Sequence, residues 1–597
     1  MQKIFRFITL TLFFLFFLMP KTFALPPIMP LEKVREGMQG TAYTVIESSG
    51  VIEPFNVQII GTIDNGKGSN TMIMAKASGN VIDRTRGILQ GMSGSPVYIN
   101  GRLVGAVAAG YKEMDPTIFL ITPIENMLKI WEMPDELAVN PYLKKDEQPV
   151  EEKKSIDELE DGEEIIYDSE EIPDDEDEKA TVIYSGFDSS GLNFLQDSLS
   201  NFGLKNYYAA NGSGETKIKY NADLKPGGAV GVSVVMGDFL VGATGTVTAV
   251  DENKILAFGH SFTHGGNVNY FMTDASVLGT VSGGSYGGMK IATVSNIIGR
   301  INQDRETGVA GIIGKFPQVV PINVTVNEEK YSAVMAYNET LIPKLGSAIA
   351  YTALSKTADS LAESTVDISF DIKTNVVDSG TFSRSNIFYS PTDVGQVAIT
   401  ELLQALTLVS SNTVKESDIF GIDVNINYET GRKTASLVKA EPDKKIVKPG
   451  DTVNLTVTLQ PYRKPEEKIV VPFTVPLAAR EGNLILDIHG GGLIPLVQAQ
   501  AAGLIVPSTK PPAQSYNDKI NALLKQNKNN QIIIGVNAAS TVVKSEKDLK
   551  KDIQRAKKAK QRLEKLGVKP AVAQNNKFDT GYIIDNVIQC TLNVDKI

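Results

Sequence analysis

The chain has 597 residues, 42% apolar and 21% charged, so several cores are expected rather than one. Its net charge of −10 excludes a general nucleic-acid binder, because neutralising phosphates needs a basic face. Cys590 is the only cysteine, which excludes an internal disulfide and leaves that thiol to act as a small buried hydrophobe.

The first residues, MQKIFRFITLTLFFLFFLMPKTFALPP, have a short basic start, an apolar run, and small residues at Thr22 and Ala24. The pattern predicts a signal peptide over 1–24, cleaved after Ala24, and a secreted or periplasmic protein of a bacterial envelope. The apolar run is short for a bilayer span. The rival expectation is an uncleaved N-terminus that associates with a membrane surface.

Residues 27–135 carry short β-like runs (GTAYTVI, FNVQIIGTI, TMIMAKA, PVYI, LVGAVAAGY, IFLITPI) separated by Gly, Asn and Asp. Asn-Gly within YINGRLVG predicts a two-residue hairpin turn, and PIENMLKIWEM predicts a short helix closing the unit. Residues 144–180 are strongly acidic and poor in apolar groups, so they cannot repay their ordering entropy and are expected to form a disordered linker. From 181 to 345 the chain is β-rich again. GLNFLQDSLSNFGL reads as a helix, and AVGVSVVMG, LVGATGTVTAV and KILAFGHSF read as strands. Residues 346–435 read as an α+β region with two helices. Period-two alternation over 436–490 suggests an immunoglobulin-like sandwich. Residues 491–597 read as a small α+β region, with EKDLKKDIQRAKKAKQRLEKLG as a solvated basic helix.

One stretch carries possible chemistry. In QGMSGSPV, two serines sit on a tight glycine turn between strand patterns. Acyl transfer needs a hydroxyl on such a turn, a nearby base, and backbone N–H groups aimed at the developing oxyanion. This makes Ser93 the candidate nucleophile, with Gly91 and Ser93 N–H forming the oxyanion hole. Ser95 is a supporting hydroxyl or the alternative nucleophile. The chain has three histidines, His260, His264 and His489. His260 ends an apolar strand in ILAFGHSFTHGG and is the candidate general base, His264 is its alternative, and His489 is expected to be structural. No H-E-x-x-H pattern accompanies them, so no metal and no organic cofactor is expected. The orienting acid is Asp304, Asp83 or Asp274, in that order, and the residues alone do not choose among them.

The run RTRGILQGMSGSPVYINGRLVGAVAAGYKEMDPTIFLITPIENML resembles the serine-bearing end of the SpoIVB peptidase family, the sporulation serine peptidases. LKPGGAVGVSVVMGDFLVGATGTVTAVDENKILAFGHSF is similar to the family's histidine-bearing part, with the serine and histidine segments in permuted order. The resemblance implies a mainly β chain. A trypsin-like two-barrel peptidase unit would be assembled from two segments, followed by the sandwich and the C-terminal α+β region. It also implies a serine endopeptidase with a Ser–His–Asp triad acting on a protein or peptide substrate. The competing expectation is a non-catalytic envelope binding or scaffold protein that retains the fold.

Overall fold

Strict alternation lays down the first sheet: Phe55, Val57 and Ile59 are buried, while Asn56, Gln58 and Ile60 between them are exposed. The computed structural model describes residues 25–64, 71–109, 115–135, 182–199, 207–210, 224–281, 288–412, 418–492, 515–537, 546–565 and 576–595. The expected signal peptide over 1–24 and acidic linker over 144–180 lie outside the described residues. The chain divides into two compact units. One is Met1–Phe187, Leu192–Val320 and Ala333–Asn338; the other is Asp188–Gly191, Pro321–Ser332 and Glu339–Ile597.

The first unit opens with β1 (Gln39–Thr44), β2 (Glu53–Asp64), β3 (Thr71–Ser78), helix α1 (Asn80–Thr85), β4 (Pro96–Ile99), β5 (Arg102–Ala109) and β6 (Ile118–Pro123). These strands form a closed barrel in the order β1-β2-β3-β6-β5-β4. Asn100 and Gly101 take φ of 51° and 71° between β4 and β5, the left-handed pair that a tight primed hairpin turn requires. Helix α2 (Ile124–Trp131) follows.

After β7 (Val182–Ser185), α3 (Ser189–Leu199) and β8 (Tyr207–Ala210) come β9 (Ala229–Gly237), β10 (Leu240–Asp251), β11 (Lys254–Ala257), β12 (Gly266–Val281), β13 (Met289–Arg305) and β14 (Gly308–Ile313). Antiparallel pairings run from β9 to β10, β11, β14, β13, β12 and back to β9. The ring therefore closes into a second six-stranded barrel. Counted from its first strand, its order is first, second, third, sixth, fifth, fourth, the same as in the first barrel.

Helix α2 joins the barrels. Its apolar face (Ile124, Met127, Ile130) packs with Ala249, Leu256 and Ala310 of the second barrel, and Trp131 Nε1 donates to the Ile255 carbonyl at 3.0 Å. Each fully buried side chain of this face contributes about 2 kcal/mol. An ion pair between buried Arg300 and half-buried Asp135 ties the segment after α2 to β13.

The histidine-bearing segment was expected to run to 345, but Pro321–Ser332 and the residues from Glu339 onward belong to the second unit. β15 (Val319–Val326) and β16 (Glu329–Ala336) cross that boundary. The second unit contains α4 (Ile342–Thr357), β17 (Ser364–Thr374), β18 (Thr381–Ser390), α5 (Val394–Ser410) and β19 (Ile419–Thr430). The strand order there is β18-β17-β19-β15, with α4 packed on α5. A sandwich completes the unit, from β20 (Thr434–Pro442), β21 (Ile446–Val447), β22 (Thr452–Pro461), β23 (Glu467–Thr474) and β24 (Gly482–Gly490) through α6 (Tyr516–Lys525), β25 (Gln531–Val536), α7 (Glu546–Lys565), β26 (Lys577–Asp579), β27 (Ile583–Ile584) and β28 (Val587–Val594). Its sheets are β23-β22-β20-β27 and β21-β28-β24-β25-β26.

The sandwich thus extends beyond the expected 436–490. One sheet includes β27 and the other includes β25, β26 and β28, because both edges of β24 pair with strands late in the chain, β25 and β28. Cys590 is buried in this core. Helix α7 is docked rather than fully solvated: Ala559 and Leu563 are buried, and Arg562 donates to Asp451 at 2.9 Å. No helix among the described residues is long and apolar enough to cross a membrane.

Candidate active site

The candidate serine turn lies between the third and fourth strands of the first barrel, and the candidate histidine lies between the third and fourth strands of the second. Both loops meet β5. Gly94 N–H donates to the Val107 carbonyl at 2.7 Å, and a Cβ on Gly259 would stand 2.7 Å from that same oxygen. A Cβ on Gly94 would lie 1.9 Å from the Thr246 carbonyl oxygen and 2.6 Å from Phe258 N. The Ser93 carbonyl accepts from Thr246 N–H at 2.9 Å, and Thr248 Oγ1 donates to the Gly94 carbonyl at 2.8 Å. Gly94 and Gly259 are therefore glycines because two backbones must touch there, and this contact brings the Ser93 and His260 loops side by side.

Within the serine turn the two hydroxyls differ. Ser95 is fully buried and its Oγ donates to the Met92 carbonyl at 2.6 Å. Ser93 is partly exposed, and its Oγ donates to the Ala108 carbonyl at 3.1 Å. Gly91 and Gly94 have φ of 87° and 94°, conformations that L side chains rarely adopt. Among the described residues, the Gly91 and Ser93 N–H groups donate to no protein acceptor. Two unengaged backbone donors on one turn suit an oxyanion.

The His260 loop is held by unusual backbone. Phe258 and Gly259 take consecutive positive φ of 71° and 74°, and Phe258 is a buried non-glycine residue in a sparsely populated region. Thr122 Oγ1, from β6 of the other barrel, donates to the Gly259 carbonyl at 2.5 Å. His260 itself is buried, with Nδ1 2.8 Å from the Ser261 carbonyl oxygen. A carbonyl can only accept, so Nδ1 carries the proton and Nε2 holds the basic lone pair. Burial pushes the imidazole pKa below its ordinary value, while the Ser261 carbonyl and the Asp304 charge oppose that shift.

Asp304 does not hydrogen-bond the imidazole. Its buried carboxylate accepts from Phe262 N–H, Thr263 N–H and Thr263 Oγ1, each at 2.7 Å, and from Gly265 N–H at 3.2 Å. It organises the loop that follows His260 and acts on the ring through space. Asp83 is exposed on α1 and has no ion-pair or hydrogen-bond partner for its carboxylate among the described residues. Asp274 is occupied by Ser295 and by Asn296, whose N–H lies 2.7 Å away. His264 is exposed in the same loop with φ of 58°, and His489 sits on β24 of the sandwich with Nδ1 2.7 Å from the Gly490 carbonyl oxygen. Among the described residues, no group of three His, Cys, Asp or Glu side chains could hold a metal.

Lys290 is the site's unanticipated member. Backbone bonds join it to the serine turn: Lys290 N–H donates to the Gln90 carbonyl at 2.9 Å, and Gln90 N–H donates to the Gly288 carbonyl at 2.9 Å. Its Nζ lies 3.2 Å from Thr44 Oγ1 and 3.0 Å from Thr246 Oγ1, and Thr246 Oγ1 donates to the Gly91 carbonyl at 2.9 Å. Burial lowers its pKa to about 7. A lone lysine inside the strand-like run MKIATVS was the available signal, and nothing in the pattern linked it to the serine turn.

Residues 21–128 match the model of the SpoIVB peptidase S55 family. The matched stretch contains the whole first barrel, including Gly91, Ser93 and Ser95, and ends within α2. No curated protein and no solved structure matches the chain.

Proposed function

We propose that the protein is an exported serine endopeptidase of the SpoIVB type, in which two barrels present the reacting groups to each other. The observation that carries this reading is the backbone contact of Gly94 with Phe258 and Thr246, which sets Ser93 and His260 on adjacent loops at equivalent positions of two like barrels. The family match over 21–128 supports peptidase chemistry for the serine-bearing half.

In this mechanism Ser93 Oγ leaves the Ala108 carbonyl and hands its proton to His260 Nε2 as it attacks the peptide carbonyl. The Gly91 and Ser93 N–H groups receive the oxyanion. The imidazolium then protonates the leaving amine as the C–N bond breaks, and water, deprotonated by the same nitrogen, releases the acid product. The Ser261 carbonyl orients the ring, a part usually played by a carboxylate. Asp304 supplies negative charge nearby and holds the loop. Ser95 supports the turn from beneath.

A fluorophosphonate probe tests the proposal. Labelling should map to Ser93 and should be lost in Ser93→Ala and in His260→Ala. The rival reading, a binding or scaffold protein with a peptidase-like fold, draws on the absence of a hydrogen bond between Ser93 and His260 among the described residues. A folded wild-type sample that takes up no probe would establish that rival.

A further inference from the structure

A buried lysine beside the serine turn is left unused by the mechanism above. Lys290 is 7% exposed and comes from β13, at the end of the β12–β13 hairpin that bonds to Gln90. Its Cε lies 3.3 Å from the point where a Cβ on Gly91 would stand, so the stem runs along the glycine whose N–H faces the candidate oxyanion. The groups that face its amine are Thr44 from β1 and Thr246 from β10, with Gly91 of the serine turn beside its stem, and none of these titrates. Among the described residues no carboxylate pairs with it, and burial accounts for its lowered pKa. Thr246 accepts from the amine and passes a hydrogen bond on to the Gly91 carbonyl, so the lysine also fixes the peptide that aims the oxyanion donors. An unpaired buried cation is costly to maintain, and it gains most when negative charge forms close by in a low-dielectric site.

We infer that Lys290 is the electrostatic positioning residue of the oxyanion site: its ammonium stabilises the negative charge that develops at the Gly91 and Ser93 amides, and reaction slows when it loses its proton. This inference rests on the serine peptidase reading. Activity then needs His260 neutral and Lys290 charged. The acid limb of the pH profile belongs to the imidazole and the alkaline limb, near pH 7, to the amine. The neutral amine still has two N–H donors for the two threonines, so the alkaline limb reflects loss of charge rather than collapse of the turn.

The experiment is the rate of fluorophosphonate labelling of Ser93 from pH 5 to 9 in the wild type, Lys290→Met and Lys290→Arg. Lys290→Arg should keep the fast plateau and lose the alkaline limb. Lys290→Met should also lose that limb but at a plateau lowered about tenfold, less than the loss of a direct oxyanion donor. Lys290→Arg decides the matter should Lys290→Met fail to fold, as judged by circular dichroism. An alkaline limb near pH 7 that persists in folded Lys290→Arg overturns the inference and leaves the peptidase reading intact. Absence of labelling in folded wild type overturns both.

Discussion

Asp304→Asn is the most informative loop substitution, because the carboxylate it replaces is fully buried and accepts four hydrogen bonds. An amide offers one acceptor oxygen. Turned towards Thr263 and Gly265, where three donors converge, it sets its own N–H₂ against Phe262 N–H. One charge-assisted bond is lost, a buried donor is left facing another donor, and the remaining bonds weaken as the charge disappears. The cost to the loop is about 3 kcal/mol, which corresponds to about a 150-fold rise in local opening. Hydrogen exchange of a peptide spanning 258–266, read by mass spectrometry, should show that loss of protection. The Asp304 charge raises the His260 pKa, so its removal should also move the acid limb of labelling to lower pH and slow the reaction at its optimum. Unchanged exchange together with an unmoved acid limb would refute the role assigned to Asp304.

Other substitutions separate the parts of the site. Ser95→Ala removes the buried bond to the Met92 carbonyl and should lower stability by about 1 kcal/mol while Ser93 still labels; loss of labelling in a folded sample would instead make Ser95 the nucleophile. Gly94→Ala forces a Cβ to 1.9 Å from the Thr246 carbonyl at φ of 94°, and should cost about 3 kcal/mol and separate the loops. Trp131, the only tryptophan, bonds across to Ile255, so its fluorescence during urea unfolding reads that change directly. The same signal tests Lys290. Burial lowers its pKa in the folded chain to about 7, below the ordinary lysine value of 10.5, so the unfolded chain binds more protons in between and stability rises with pH across that window. Below pH 7 this gain is absent. Lys290→Met should flatten the rise, and an equal rise in wild type and variant would count against the buried amine as its source.

Much of the site could be read from residues because local rules govern it. Asn100-Gly101 specifies its turn by backbone conformation alone, and G-M-S-G-S-P announces a tight glycine turn that carries its serines between two strands. Closure of the second barrel is expected only through the family resemblance and not from the residues themselves, since it depends on β9 pairing with both β10 and β12, and pairing partners leave no mark in a single strand. Asp304 is the first of three candidate orienting acids that the residues alone do not separate; its carboxylate is taken by donors of the loop after His260, and a main-chain carbonyl orients the ring. A carbonyl at Ser261 has no sequence signature. The sandwich was underestimated for a related reason: the short strands β26 and β27 lack enough alternation to show, and they are ordered by neighbours far away in the chain.

In the proposed mechanism a hydroxyl on one barrel reacts through an imidazole on the other. A crystal structure of the phosphonylated protein tests it most directly. Phosphorus should be bonded to Ser93 Oγ, its oxygen within hydrogen-bond distance of Gly91 N and Ser93 N, with His260 Nε2 facing the adduct. An adduct on another residue, or one on Ser93 with the imidazole turned away and the two amides unengaged, would contradict it.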